Sequence, residues 1–403
     1  MNVFNCTTIN DLLSEELVQE LSSSYGTPLY VYFERIIRER ARSVLGIFNG
    51  INIFPTFACK ANNNPNLLRI LKEEGFGTDI VTLGEYYASK LAEIPDERIV
   101  WNGNGKSLKE MSLLSKVRYI NVDSIEELER WKDVASKFDN IPELFLRINP
   151  DVDSKTHPYI STGLKKNKFG IPIEMVERAL KIVKTSNLEL VGFHIHIGSQ
   201  ITDVDPFYEA LGQTVELSKS YGFRKINIGG GWGINYKDKE LNLSKYREEI
   251  IPLLKDFEEV VLEIGRYIIG PAGVLILKVE YVKKTDAKTF VVVDGGMNVL
   301  IRPAMYGAFH GVRVLSAEQN EKVEVDVVGP LCESGDVLAT HCMLEIPREG
   351  SYIVIENAGA YGYAMASNYN STLKPAEVLM TENNEPKLIR RRETYDDLFR
   401  TII

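Results

Sequence analysis

A lysine stands where a hydrophobic strand runs out. In Phe57-Ala58-Cys59-Lys60-Ala61-Asn62-Asn63-Asn64, the apolar run from Ile51 to Cys59 gives way to small and amide side chains before Pro65 opens a helical stretch. A lysine emerging from buried β structure is expected to be partly desolvated, which disfavours its ammonium form and makes the amine a nucleophile toward carbonyls. Schiff-base chemistry is within its reach; the other reading is a surface lysine that only ends a strand. Gly229-Gly230-Gly231 directly follows the strand Lys225 to Ile228. Its backbone N–H groups, with no side chains in the way, could cradle a phosphate, or the triplet could be a flexible turn. His194-Ile195-His196 puts two imidazoles on one face of a strand, a spacing that also suits a metal, although no third ligand is marked. Gly198-Ser199 follows with a hydroxyl. Glu263-Ile264-Gly265-Arg266 ends another strand with a carboxylate and a guanidinium, which could be a site or an ordinary strand-end ion pair.

The elements that must position these groups follow from periodicity. Eight short β-branched runs occur between residues 51 and 264: Ile51 to Cys59, Gly77 to Val81, Ile99 to Asn102, Arg118 to Val122, Leu144 to Ile148, Leu190 to His196, Lys225 to Ile228 and Val260 to Ile264. Between them, Pro65 to Glu74, Leu83 to Ala92, Ile125 to Phe138, Glu174 to Thr185 and Pro206 to Tyr221 carry apolar residues at helical spacing. Thr82 to Glu85 and Ser124 to Glu127 read as capping boxes, which fix two strand-to-helix turns. Eight alternations predict a (β/α)8 TIM-like barrel rather than an open doubly wound sheet. Such a barrel has its site at the carboxyl ends of the strands. Those ends carry Lys60, Asp79, Asn102, Asp123, Arg147 with Asn149, His194 with His196, Gly229 and Glu263.

After Pro271 strands follow without intervening helices, from Val274 to Lys284, Thr289 to Asp294, Val323 to Val328, Asp336 to Ala339 and Tyr352 to Glu356. An all-β C-terminal domain is expected, of sandwich or Greek-key type. The β-like segment Pro28 to Phe33, ahead of the helix Glu34 to Phe48, could add a strand to it. The expected division is a barrel over 34–270 and a second domain formed by 1–33 and 271–403.

Composition narrows the function classes. The 403-residue chain has a net charge of -9, and its one basic cluster, Arg390-Arg391-Arg392, is followed by Glu393, Asp396 and Asp397, so nucleic acid is not an expected partner. No run approaches ~20 uninterrupted apolar residues. With no basic stretch ahead of an apolar one at the N-terminus, neither a membrane span nor a secretory signal is expected, and a cytoplasmic location follows. Cys6, Cys59, Cys332 and Cys342 are spaced for neither a disulfide framework nor a zinc site, and no metal is expected.

A strand-end lysine, a flat imidazole, a phosphate cradle and a carboxylate on one barrel face describe a pyridoxal 5'-phosphate site. The chain resembles the fold-type III pyridoxal-phosphate-dependent decarboxylases, and among them the diaminopimelate decarboxylases, along nearly its whole length. The stretches that carry the resemblance are Phe57 to Asn62, Lys155-Thr156-His157-Pro158 with Ser161-Thr162-Gly163, Lys168-Phe169-Gly170, His194 to Gln200, Gly229 to Gly231, Glu263 to Arg266 and Asp294-Gly295-Gly296. Beyond these lie Arg302 to Tyr306, Gly329 to Asp336, Asn357 to Gly362 and Ser367 to Asn370.

The resemblance implies that Lys60 holds the cofactor as a Schiff base, that His196 stacks on its ring, and that Gly229, Gly230, Gly231 and Ser199 hold its phosphate. It places Ile264, Gly265, Arg266 and Tyr361 at the cofactor as well. Glu263 would pair with the pyridine nitrogen, since a carboxylate there keeps the ring protonated and able to accept an electron pair. Arg266, Arg302, Tyr306, Glu333 and Tyr361 match substrate-binding positions, where guanidiniums suit carboxylates. Cys332 matches a proton donor supplied by a second subunit, which implies a homodimer with a shared site; a thiol of ordinary pKa, ~8.5, is largely protonated at neutral pH.

The activity implied is decarboxylation of meso-2,6-diaminopimelate to L-lysine and CO2, the last step of lysine biosynthesis. The rivals are an ornithine, arginine or carboxynorspermidine decarboxylase of the same fold, and a non-catalytic pyridoxal-phosphate binder. An alanine racemase would carry an arginine where Glu263 stands. Three departures from the family's pattern are Ile264 in place of proline, Cys59 before the lysine, and Ser371-Thr372-Leu373-Lys374 where an arginine-proline pair is usual.

Overall fold

A computed structural model describes residues 6–135, 137, 142–153, 163 and 168–403. The chain divides into two compact units. One comprises Ala41–Ile234 and Glu240–Tyr267; the other comprises the described residues up to Arg40, with Asn235–Lys239 and Ile268–Ile403. The first division falls inside the helix Glu34–Ile47.

The first unit is a closed parallel barrel. Its strands are Ile53–Ala58, Gly77–Ile80, Ile99–Trp101, Tyr119–Val122, Glu143–Asn149, Leu190–His194, Lys225–Asn227 and Glu259–Ile264. Each pairs with the next in sequence, and the eighth pairs back onto the first, Val260 opposite Ile53. Because side chains alternate across a strand, every second residue points inward. Phe54, Val100, Tyr119, Phe145 and Val261 form one apolar layer inside the barrel. Below it, at the strand starts, Arg118 Nη1 meets Glu143 Oε1 at 2.7 Å, Lys225 also bonds Glu143, and Tyr119 bonds Glu259. That face serves stability rather than chemistry.

The helices expected from periodicity are present, with two more: Leu108–Leu114 and Leu243–Leu254. The first has only seven residues and follows a glycine-rich turn; the second carries Pro252 inside it, which masks the helical pattern. The two predicted capping boxes form in altered register. Thr82 and Ser124 do accept from the N–H of Glu85 and Glu127, but the glutamates reach one residue further back, to the N–H of Val81 at 2.6 Å and of Asp123 at 3.1 Å. The reciprocal box occurs instead at Ser107 and Glu110.

The second unit holds one seven-stranded sheet. Leu29–Phe33, buried throughout, is an interior strand, antiparallel to Gly273–Lys284 and parallel to Ala376–Met380. Four strands, Gly273–Lys284, Thr289–Val293, Val312–Val328 and Val337–Ile355, pair in a closed cycle. Instead of the two stacked sheets of a sandwich, this is a single sheet curling on itself, with register shifts along its long strands that permit the bend. The last two of these strands are much longer than expected from apolar runs, because both carry charged residues in sequence and the middle of Val337–Ile355 is half-exposed and contains Pro347. As expected the unit is β-rich, and short helices at Glu15–Tyr25, Arg302–Tyr306 and Tyr395–Phe399 accompany the sheet.

Candidate active site

Two residues above the apolar layer, the same inward alternation delivers a polar layer. It brings Asp79, Asn102, Asn121, Arg147, His194, Asn227 and Glu263 together from seven consecutive strands, all buried. Its centre is Glu263. One carboxylate oxygen, Oε1, accepts from Asn102 Nδ2 at 2.9 Å and from Asn121 and Asn227 Nδ2 at 2.7 Å each. The amides also bond one another, Asn121 to Asn102 at 2.7 Å and Asn227 to Asn121 at 3.2 Å, and Asn102 donates to Asp79 Oδ1 at 2.6 Å. His194 Nε2 lies 3.3 Å from Glu263 Oε2 without the alignment of a hydrogen bond.

Charge in this layer is divided unequally. Burial alone would raise the Glu263 pKa, but the His194 imidazole beside one oxygen and the amide N–H groups on the other outweigh it and hold the carboxyl well below the usual carboxylate range. Burial, and then the Glu263 charge, push the Asp79 carboxyl well above that range. Asp79 Oδ2 has no hydrogen-bond partner among the described residues. Burial lowers the His194 pKa, so its imidazole is neutral at pH 7. The layer therefore favours charge on Glu263 over Asp79, and its cation is Arg147, whose Nη1 donates to Asp123 Oδ1 at 3.1 Å.

At the barrel mouth, Lys60 continues the alternation of Phe54, Thr56 and Ala58, and its side chain is exposed between buried Cys59 and Ala61. The strand stops at Ala58, two residues before Lys60, whose charge still acts on buried Asp79 and on Glu85 and His196. His196 is half-buried at the rim, and burial with the Lys60 charge lowers its pKa well below the ordinary value. Its Nδ1 accepts the Gly230 N–H at 3.3 Å. The Gly229 N–H donates to Asn227 Oδ1 at 2.9 Å.

Two of the three amides expected to face a phosphate are thus committed within the protein. The glycines are required by close packing: a Cβ on Gly229 would lie 2.3 Å from the Ile195 oxygen, on Gly230 2.0 Å from the Glu263 oxygen, and on Gly231 2.4 Å from the Gly198 oxygen. Gln200 braces the same loop through Ile234, donating to its oxygen at 2.6 Å and accepting from its N–H at 3.2 Å. Arg266 Nη2 donates to Ser199 Oγ at 2.9 Å, which leaves the hydroxyl hydrogen to be donated elsewhere. Ile264 is buried, and Gly265 packs so closely that a Cβ would lie 3.1 Å from those of Ala58 and Ala61. The matching stretch Lys155 to Pro158, with Ser161 and Thr162, lies outside the described residues.

The remaining predicted residues belong to the β unit. Cys332 and Glu333 are exposed on a turn shaped by buried Asp336, which accepts from Leu331 N–H at 2.7 Å and Met297 N–H at 2.6 Å. Asn370 Oδ1 accepts the Cys332 N–H at 3.1 Å. Tyr361 is half-buried with a left-handed backbone, φ 57°. Tyr306 is half-buried, whereas Arg302 is only 5% exposed, at the start of its helix. The residues missed from sequence are Asn121, Asn227, Asp336, His310 and Tyr236. Period-two counting from Tyr119 and Lys225 would have found the first two.

The donor set suits pyridoxal phosphate. It offers an accessible amine for the aldehyde, a buried ionised carboxylate for the ring nitrogen, a flat imidazole at the rim, and a hydroxyl backed by a guanidinium for the phosphate dianion. A closed parallel barrel with this layer at the carboxyl ends of its strands defines a pyridoxal-dependent decarboxylase framework, and residues 34–270 match the family described as the pyridoxal binding domain of pyridoxal-dependent decarboxylases. The chain is 43% identical over 392 residues to the diaminopimelate decarboxylase of Aquifex aeolicus, covering 94% of this chain and 92% of that protein. It is 38% identical to that of Haemophilus influenzae, covering 97% of each. The crystal structure of Helicobacter pylori diaminopimelate decarboxylase complexed with L-lysine superposes with a TM-score of 0.90 at 37% identity, over 95% of this chain and 98% of that one. The chain belongs to the diaminopimelate decarboxylase family.

Proposed function

We propose that this chain removes CO2 from meso-2,6-diaminopimelate and leaves L-lysine, with pyridoxal phosphate as its cofactor, in the last step of lysine biosynthesis. The observation that carries this reading is Glu263, kept as an anion inside the barrel by three amide N–H groups. When bound, pyridoxal phosphate supplies an electron sink for the pair left at Cα as CO2 departs. Glu263 holds a proton at the pyridine nitrogen. Lys60 would supply the amine for the aldehyde, His196 would face the ring, and Ser199 with the Gly229–Gly231 loop and Arg266 would hold the phosphate. Ile264, Gly265 and Tyr361 line the same place. Cofactor binding falls to residues 34–270, and residues 1–33 and 271–403 form the second domain.

Arg266, Arg302, Tyr306, Glu333 and Tyr361 receive the substrate. Diaminopimelate has a carboxylate at its distal end where ornithine has none, and a buried guanidinium such as Arg302 suits it. The purified protein, loaded with cofactor and offered diaminopimelate, ornithine and arginine, should release CO2 from diaminopimelate by a margin of about a hundredfold or more in kcat/KM, because a site built for a carboxylate is left unpaired by an analogue lacking it. A preference for ornithine would overturn the substrate reading.

Cys332 acts as proton donor to Cα from a second subunit, and the enzyme works as a homodimer. An exposed thiol on a braced turn supports this role. Mixing inactive Lys60→Ala with inactive Cys332→Ala protein should restore up to about a quarter of wild-type activity, since random exchange makes half the dimers mixed and each mixed dimer keeps one intact site of two. Subunit exchange proven by differential labelling, with no recovery, would count against the shared site. Among the described residues no helix is long and apolar enough to cross a membrane.

A further inference from the structure

Arg302 does not stand alone in the β unit. Its Nη1 lies 2.6 Å from His310 Nε2 and donates to Tyr236 Oη at 2.9 Å. His310, 1% exposed, has its other ring nitrogen 2.8 Å from the Glu356 carbonyl oxygen. A carbonyl can only accept, so Nδ1 carries the proton and Nε2 offers a lone pair to the guanidinium. The Tyr236 ring lies under the guanidinium, 4.7 Å from Cζ, and meets the His310 ring edge-on at 5.1 Å. Nη1 is thus held from two sides, by an imidazole nitrogen and by a phenol oxygen.

The chain reaches this arrangement by a local device. Gly307 takes a left-handed conformation, φ 59°, that ends the helix Arg302–Tyr306 and returns the backbone so that His310 lies beside Arg302. A lysine at 302 would offer no planar fork for these two contacts to orient.

We propose that His310, as a neutral imidazole, and Tyr236 are positioning residues that fix the plane of the Arg302 guanidinium for the distal carboxylate of the substrate. This rests on the reading of Arg302 as the group that binds that carboxylate.

The test uses the holoenzyme and two ligands, L-lysine, which keeps the distal carboxylate, and 1,5-diaminopentane, which has the same chain and neither carboxylate. His310→Phe keeps a flat ring but no acceptor. It should weaken L-lysine inhibition and raise KM for diaminopimelate roughly ten- to a hundredfold, while 1,5-diaminopentane inhibition and cofactor affinity, followed by absorbance titration, stay as in wild type. His310→Gln, whose side-chain oxygen can accept from Arg302, should recover most of the loss. Tyr236→Phe, which keeps the ring and removes the hydroxyl acceptor, should shift L-lysine in the same direction by less, and serves where His310→Phe does not fold.

If Arg302→Gln leaves L-lysine binding unchanged, the reading of Arg302 falls and the proposal with it. If Arg302→Gln weakens L-lysine but His310→Phe and Tyr236→Phe do not, or weaken both ligands alike, the positioning role alone is overturned.

Discussion

Lys60→Ala should lower decarboxylation at least about a thousandfold and remove the near-visible absorbance band of the lysine-bound cofactor. The reason lies in where amines are placed. Lys60 alone of the barrel's inward alternation on its strand carries an amine to the open mouth, and it is exposed there. Lys106 is the obvious substitute, but it is 3% exposed and bound by the Gly103 carbonyl, by Asn121 oxygen at 2.8 Å and by Glu127 at 2.9 Å. Releasing it would leave a buried carboxylate unpaired, which is strongly unfavourable. Spectra and single-turnover CO2 release of the variant check the claim; a retained band with turnover would sink the assignment of Lys60.

Glu263→Gln should fold, retain cofactor, and lose about a hundred- to a thousandfold in kcat, the scale on which removing one pre-organised electrostatic partner acts. Glutamine fills the same space, and its oxygen can accept from the amides that now bond Oε1. What it cannot do is hold a proton on a basic nitrogen. If kcat is unchanged, or if cofactor affinity accounts for the whole loss, Glu263 does not tune the ring.

The same variant has a signature in stability. The folded-state pKa of Glu263 lies below its unfolded value, so the group adds stability above the ordinary carboxylate pKa of ~4.3, and that contribution is lost as pH falls through the folded pKa. Wild type should therefore melt above Glu263→Gln at pH 7, with a gap that narrows on acidification. Asp79, raised by burial and then by the Glu263 charge, acts with the opposite sign, and less strongly in the variant, which lacks that charge.

Sequence alone determined the barrel, because eight strands of period two alternating with helices of period 3.6 admit few closed arrangements, and the glycine and proline punctuation marks their ends. The proposed chemical cast is likewise read from sequence, since Lys60, Glu263, the glycine triplet and the Cys332 turn each occur in contiguous motifs. The second unit was only partly legible. Its longest strands are rich in charge, so their pairing rather than their composition makes them β, and whether they form two sheets or one curled sheet is settled by register shifts that have no one-dimensional mark.

Only the tertiary structure decided how the site is tuned. Asn102, Asn121 and Asn227 are spread over more than a hundred residues, and nothing local shows that their amides converge on one oxygen of Glu263. His310 passes for a core histidine until Arg302 and Tyr236 are beside it. Short-range periodicity writes elements into sequence, whereas charge, tautomer and hydrogen-bond partnership depend on which strands and turns meet, and that is set by closure of the whole sheet.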